Sequence, residues 1–209
     1  MDQILRFDLI NEELNLTFVP IMLNLYADAV ASLKSGGVIL YPSDTIWGLG
    51  CDARMDASIE KLFDIKNRPE NKGLILLISK IEQLSEYVEQ VPEIAWDLAE
   101  FAEDPLTIIY PKGKNVSKYM LGPDGSIAIR LLKDEFCKGL VYRYQRGIVS
   151  TSANISGAPS PTDFASISES IKSQVDYILK PENSDKKGGL KSSKIIKLGL
   201  GGEYTMIRS

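Results

Sequence analysis

Short apolar runs alternate with amphipathic stretches along nearly the whole chain, a pattern that predicts interleaved strands and helices. Val38-Ile39-Leu40-Tyr41 reads as a buried strand, entered from Gly36-Gly37 and closed by Pro42. Ile59, Leu62 and Phe63 share one face of a helix running from an N-cap at Asp56 to about Asn67. Pro69 ends it, because proline disfavours helical geometry in the residue before it. Leu74 to Ile78 predicts a strand, Ile81 to Val88 a short helix and Glu93 to Glu103 a second one. Leu106 to Tyr110 and Ile127 to Leu131 read as strands, Asp134 to Gln145 as a helix and Gly147 to Ser150 as a strand. After a loop from Thr151 to Pro161, a helix near Asp163 to Ser173 precedes strands around Tyr177 to Leu179, Ile195 to Leu198 and Thr205 to Ile207.

No repeat and no break in composition interrupts this order, so residues 1–209 are expected to form a single α/β domain with a twisted mixed sheet flanked by helices. Leu16 to Val30 is apolar enough to pack on the core. Asn183 to Ser193, rich in Gly, Lys and Ser, is the polar stretch long enough to act as a mobile lid.

Composition narrows the chemistry. A chain of 209 residues with 44% hydrophobic and 25% charged residues can bury a core without disulfides. The net charge of -4 argues against a tight, charge-driven nucleic-acid binder. Cys51 and Cys137 are isolated, which suits a reducing compartment, and no signal peptide or membrane-length apolar run is present, so a cytoplasmic location is expected. The chain has no histidine at all. Nucleophile systems and zinc sites built on imidazole are thereby excluded, leaving Lys, Arg, hydroxyls, amides and carboxylates to do the work.

Those residue types gather in four clusters. Pro42 to Gly50 offers Thr45 and glycines beside which a ligand can approach the backbone, although turn residues alone would look the same. Lys66-Asn67-Arg68-Pro69 places two cations where they can grip phosphates, or simply complement the helix dipole. In Ser150 to Gly157, five of eight residues carry a hydroxyl or amide, suited to phosphate oxygens or a nucleoside but also to a turn. Lys186 to Ser193 can fold over an anion or serve as a linker. No GxxxxGK[ST] or GxGxxG motif is present, which disfavours P-loop and dinucleotide folds.

In this order, the clusters resemble the YrdC-like family of threonylcarbamoyl-AMP synthases. The family's K-x-R…S-x-N signature falls on Lys66, Arg68, Ser152 and Asn154. Lys72-Gly73-Leu74, Asp104-Pro105-Leu106-Thr107, Ser126 to Arg130 and Ser192 to Ile196 match further segments, so the likeness runs from about Ala29 to Ile207. Residues 1–28 align less well. Trp47 replaces a common tyrosine, Asp104 a common glycine, and no histidine follows the K-x-R-P segment.

The resemblance implies a concave, basic cavity in which L-threonine, bicarbonate and ATP, with Mg2+ carried on the ATP phosphates, give threonylcarbamoyl-AMP and pyrophosphate. Separate transferase proteins would then modify tRNA. It also implies that Thr45 and Arg130 hold threonine, and that Lys66, Arg68, Ser126, Ser152, Asn154 and Ser192 contact the nucleotide, with Lys66 and Arg68 stabilising the departing pyrophosphate. A phosphate-clamping Lys66 is expected to govern turnover and hardly touch stability. Two alternatives compete. One is an RNA-binding or ribosome-associated protein using the same surface, or binding RNA weakly. The other is a carbamoyl-phosphate-using enzyme of the same fold, whose larger chains carry cysteine pairs absent here.

Overall fold

β1 (Ile39–Pro42) and β2 (Trp47–Gly50) form an antiparallel hairpin, with Ile39 opposite Gly50 and Pro42 opposite Trp47. This computed structural model describes residues 25–67, 74–180 and 192–209. Seven more strands complete the sheet among the described residues: β3 (Ile75–Ile78), β4 (Leu106–Tyr110), β5 (Ile127–Leu131), β6 (Ile148–Ser152), β7 (Tyr177–Ile178), β8 (Lys194–Leu198) and β9 (Tyr204–Arg208). Their order is β7-β1-β2-β6-β3-β5-β4-β8-β9. The pairs β1–β7, β3–β5 and β4–β8 are parallel and the others antiparallel, which makes the sheet mixed, as the alternation predicts.

Side chains alternate faces along a strand, and residues opposed across a ladder share a face. One face carries Leu40, Leu49, Val149, Leu76, Ile129, Ile108 and Ile196. It is covered by α2 (Asp56–Lys66), α3 (Leu84–Tyr87) and α4 (Glu93–Phe101), through residues such as Ile59, Leu62, Phe63, Tyr87 and Ala95. The opposite face is covered only in part. There, α1 (residues 25–34) and α5 (Glu135–Tyr144) bury Ile39, Tyr41, Leu77 and Ile148 beneath Tyr26, Leu33, Leu140 and Val141. The apolar stretch noted near the N-terminus thus packs on the core where it is described.

Four details differ from the sequence reading. Trp47 to Gly50 is a strand rather than part of a loop, because it pairs with both β1 and β6 and sends Trp47 and Leu49 into the core while Gly48 and Gly50 lie on the other face beside Tyr41. A Cβ at Gly50 would come within 2.8 Å of the Val149 carbonyl oxygen, so this close ladder demands glycine. Met55, not Asp56, is the N-cap of α2, and Asp56 lies in the first turn, where its charge favours the helix dipole. The helix expected from Asp163 shrinks to α6 (Glu169–Lys172). Asp163 and Ser166 instead trade hydrogen bonds, Ser166 N–H to Asp163 Oδ1 at 2.8 Å and Asp163 N–H to Ser166 Oγ at 3.2 Å, a local alternative to the helix. The segment Ile81 to Val88 begins as a 3-10 turn at Ile81–Gln83 before α3. The helix expected over Asp134 to Gln145 is α5 with those two residues as its caps: Asp134 accepts from the Cys137 N–H, and Gln145 takes the left-handed conformation.

Candidate active site

The partly covered face leaves a cavity of about 330 Å3. β6 crosses from one regime to the other. Ile148 lies under α5, whereas Ser150 and Ser152, two and four residues on, line the cavity. The ladders continue this floor sideways, setting Ser150 beside Ile75, Ile75 beside Ala128 and Ala128 beside Ile109. A neighbouring row runs from Leu77 through Arg130 and Thr107 to Ile195. Hydroxyl and small side chains thus surface among isoleucines where no helix packs, whereas the helix-covered part is apolar and aromatic.

Of the expected threonine-side residues, Thr45 and Arg130 meet in this cavity. Arg130 Nη1 donates to Thr45 Oγ1 at 3.4 Å, and its Nη2 stands 2.9 Å from Asp44 Oδ1. Both side chains of the ion pair are almost fully buried. Burial pushes the Asp44 carboxyl above the usual carboxylate range, further than Arg130 draws it back. Ser43 Oγ lies 2.9 Å from Thr45 Oγ1 and also donates to the Ile46 carbonyl, which fixes the turn between β1 and β2.

Of the expected nucleotide-side residues, Ser152 and Ser192 line the cavity. Lys66 is only 2% exposed at the end of α2, and its ammonium donates to the Ser152 carbonyl and to the Asn154 carbonyl, the latter at 2.6 Å. The K-x-R and S-x-N segments are therefore bonded to each other through this lysine. That burial corrects the view of Lys66 as a residue without weight in stability, because removing it leaves two carbonyls short of a donor. Asn154 donates from Nδ2 to the Ile155 and Ala158 carbonyls, while its buried Oδ1 has no hydrogen-bond donor among the described residues. Ser126 is buried just before β5, two residues from Ala128, and its N–H donates to Asp124 Oδ1 at 3.1 Å. It stands outside the cavity lining, as do Lys66 and Asn154. Arg68 lies outside the described residues, and so does the proposed lid apart from Ser192 and Ser193.

The cavity also gathers residues to which the sequence reading gave no individual role, some of them inside the clusters it named. Ser160, Ser193 and Arg208 line it. Ser150 and Thr151 do too, and alternation back from Ser152 points to Ser150. Arg208 closes β9 opposite Ile195, and burial together with the nearby Arg130 lowers its proton affinity. Arg130 and Arg208 are the charged side chains among the described lining residues. No sequence signal marks Arg208, a single cation in an exposed strand. Both cysteines are buried, and burial pushes both thiols up, which removes them as nucleophiles at neutral pH.

A family model described as "Telomere recombination", for the Sua5/YciO/YrdC domain, matches residues 31–209. The chain is 36% identical to the threonylcarbamoyl-AMP synthase of Psychromonas ingrahamii, over 70% of this chain and 78% of that protein. It is 32% identical to the enzyme of the same name from Xanthomonas oryzae, covering 74% of this chain and 84% of that one. Among solved structures, Pyrococcus abyssi Sua5 in complex with L-threonine is 30% identical with a TM-score of 0.72, covering 81% of this chain and 49% of that one. Escherichia coli YciO superposes with the same TM-score at 25% identity, covering 89% of both chains.

Proposed function

From the premise that the chain belongs to the Sua5/YciO/YrdC family, whose model spans residues 31–209, we propose that it makes L-threonylcarbamoyl-AMP from L-threonine, bicarbonate and ATP, releasing pyrophosphate for tRNA threonylcarbamoyladenosine modification. One observation carries the reading. Thr45, Arg130, Ser152 and Ser192 come from four distant segments and line one cavity, and Lys66 is bonded to the S-x-N loop at its rim.

The chemistry joins the threonine amine to bicarbonate with loss of water. An oxygen of the resulting carbamate attacks the α-phosphorus of ATP, and the bond to the departing pyrophosphate breaks. Such a displacement asks the protein for position and charge neutralisation more than for covalent help, which suits a chain without histidine. Arg130 holds the threonine carboxylate and Thr45 lies beside it. Lys66, Arg68, Ser126, Ser152, Asn154 and Ser192 serve the nucleotide, with Arg208 adding charge to a basic, concave site. Among the described residues no group of three or more His, Cys, Asp or Glu could hold a metal. Mg2+ would be carried by the ATP phosphates and water, where it would supply charge neutralisation. The product passes to a separate transferase that acts on tRNA. Among the described residues no helix is long and apolar enough to cross a membrane. The RNA-binding reading is not favoured.

The test is pyrophosphate release with ATP and Mg2+, adding single amino acids with and without bicarbonate. Release is expected only when threonine and bicarbonate are both present. Equal release with serine, glycine and threonine, or release without bicarbonate, would overturn the assignment.

A further inference from the structure

Thr107 belongs to the Asp104-Pro105-Leu106-Thr107 segment, which the proposed reaction leaves without a role. It is the one aliphatic hydroxyl in a β4 sequence, Leu-Thr-Ile-Ile-Tyr, that is otherwise apolar or aromatic. The residue is 0% exposed, and a buried hydroxyl is tolerated only when it is hydrogen-bonded. Its Oγ1 lies 2.7 Å from Ser193 Oγ. Ser193 is held from a second side as well. Arg208 donates to the Ser193 carbonyl from Nε at 3.0 Å and from Nη2 at 2.7 Å, and Nη2 also reaches Ser193 Oγ at 3.3 Å. A guanidinium can only donate, so Ser193 Oγ accepts there, and its own proton remains available for Thr107.

This chain of contacts fastens the end of β9 and the entry to β8 onto β4. The place matters because Thr107 lies in register between Arg130 on β5 and Ile195 on β8, in the row that forms one side of the cavity floor. Ser192, one residue before Ser193, lines that cavity. We propose that Thr107 is a positioning residue: through Ser193 and Arg208 it sets where the Ser192–Ser193 backbone enters the site, and so how tightly the site takes its nucleotide. The inference rests on the cavity being the nucleotide site described above.

The experiment compares Thr107→Val, which keeps shape and strand propensity but removes the hydroxyl, with Thr107→Ser, which restores it. Thr107→Val is expected to raise the KM for ATP about tenfold, with kcat changed less, since a buried partner is left unsatisfied. Thr107→Ser should return KM to within about twofold of the wild type, as one hydrogen bond is regained. Amide hydrogen exchange at residues 193–196 of the ligand-free protein is the second readout, and it should quicken in the valine variant alone. A valine variant with wild-type KM and wild-type exchange would overturn the proposal. So would a serine variant as impaired as the valine one, because the loss would then come from packing. Exchange is measured without substrates, so failure of the threonine assignment in the wild-type assay remains distinguishable from failure of this role.

Discussion

The cavity side of the sheet is two regions built on the same strands. Under α1 and α5 it presents Ile39, Tyr41, Leu77 and Ile148 and behaves as core. Beyond those helices it presents Gly48, Ser150, Ser152, Ala128 and Arg130 and forms the cavity. The change occurs within a single strand: Ile148 packs in the core while Ser150, on the same face of β6, lines the cavity. What differs is therefore the presence of a covering helix. The comparison teaches that stability and chemistry divide here along the strand and not between separate elements.

The largest expected effect is at Lys66, buried at the end of α2 and bonded to the Ser152 and Asn154 carbonyls beside the cavity. Lys66→Ala should lower turnover by at least about a hundredfold, the scale of losing a group that stabilises transition-state charge. It should also lower stability by about 1–3 kcal/mol, because the Ser152 and Asn154 carbonyls lose their donor. Pyrophosphate assays and thermal melts on the same preparation check both. Unaltered turnover would return the lysine to a purely structural role, and an unaltered melt would contradict its burial.

A core substitution sharpens the other side. Leu140 is fully buried in the cluster beneath α5. Leu140→Ala should cost about 2–5 kcal/mol of unfolding free energy, from lost transfer energy and the cavity left behind. Its KM for threonine at a temperature where the variant is folded should remain close to that of the wild type. If KM rose together with the stability loss, the two regions would not be separable.

The smallest effect concerns Asp176, away from both regions. Burial raises its pKa, but the hydrogen bonds from Lys61 Nζ, at 2.6 and 2.7 Å, and from the Val38 N–H, at 2.6 Å, outweigh this, and the net shift is downward. A carboxyl with a depressed folded-state pKa contributes stability that is present above its unfolded pKa, near 3.9, and lost as pH falls through the folded value. The side chain is more than a third exposed, so solvent screening keeps the contribution to about 1 kcal/mol or less. Asp176→Asn should therefore flatten the acid limb of a stability-versus-pH curve slightly and leave its neutral plateau within about 1 kcal/mol of the wild type. A variant indistinguishable from the wild type at both pH 7 and pH 3 would remove this pair from the account.

What the sequence determined alone was local. Short apolar runs located β4 and β5 to the residue, and the apolar face of α2 followed from helical spacing, which backbone geometry fixes. The resemblance grouped Lys66, Ser152 and Asn154, and the fold bonds the Lys66 ammonium to the carbonyls of the other two. The rest required the sheet. β2 became a strand only by pairing with β1 and β6, a long-range ladder that no short window contains. Whether Ile148 or Ser150 met a helix depended on where α5 ended above β6. Arg208 entered the site because β9 pairs with β8 and sets it opposite Ile195. Lys66 turned inward because the end of β6 and the loop after it bring two carbonyls to the end of α2. In each case the deciding partner lies far away in the chain, and burial and hydrogen bonding are properties of that meeting, which only the tertiary structure supplies.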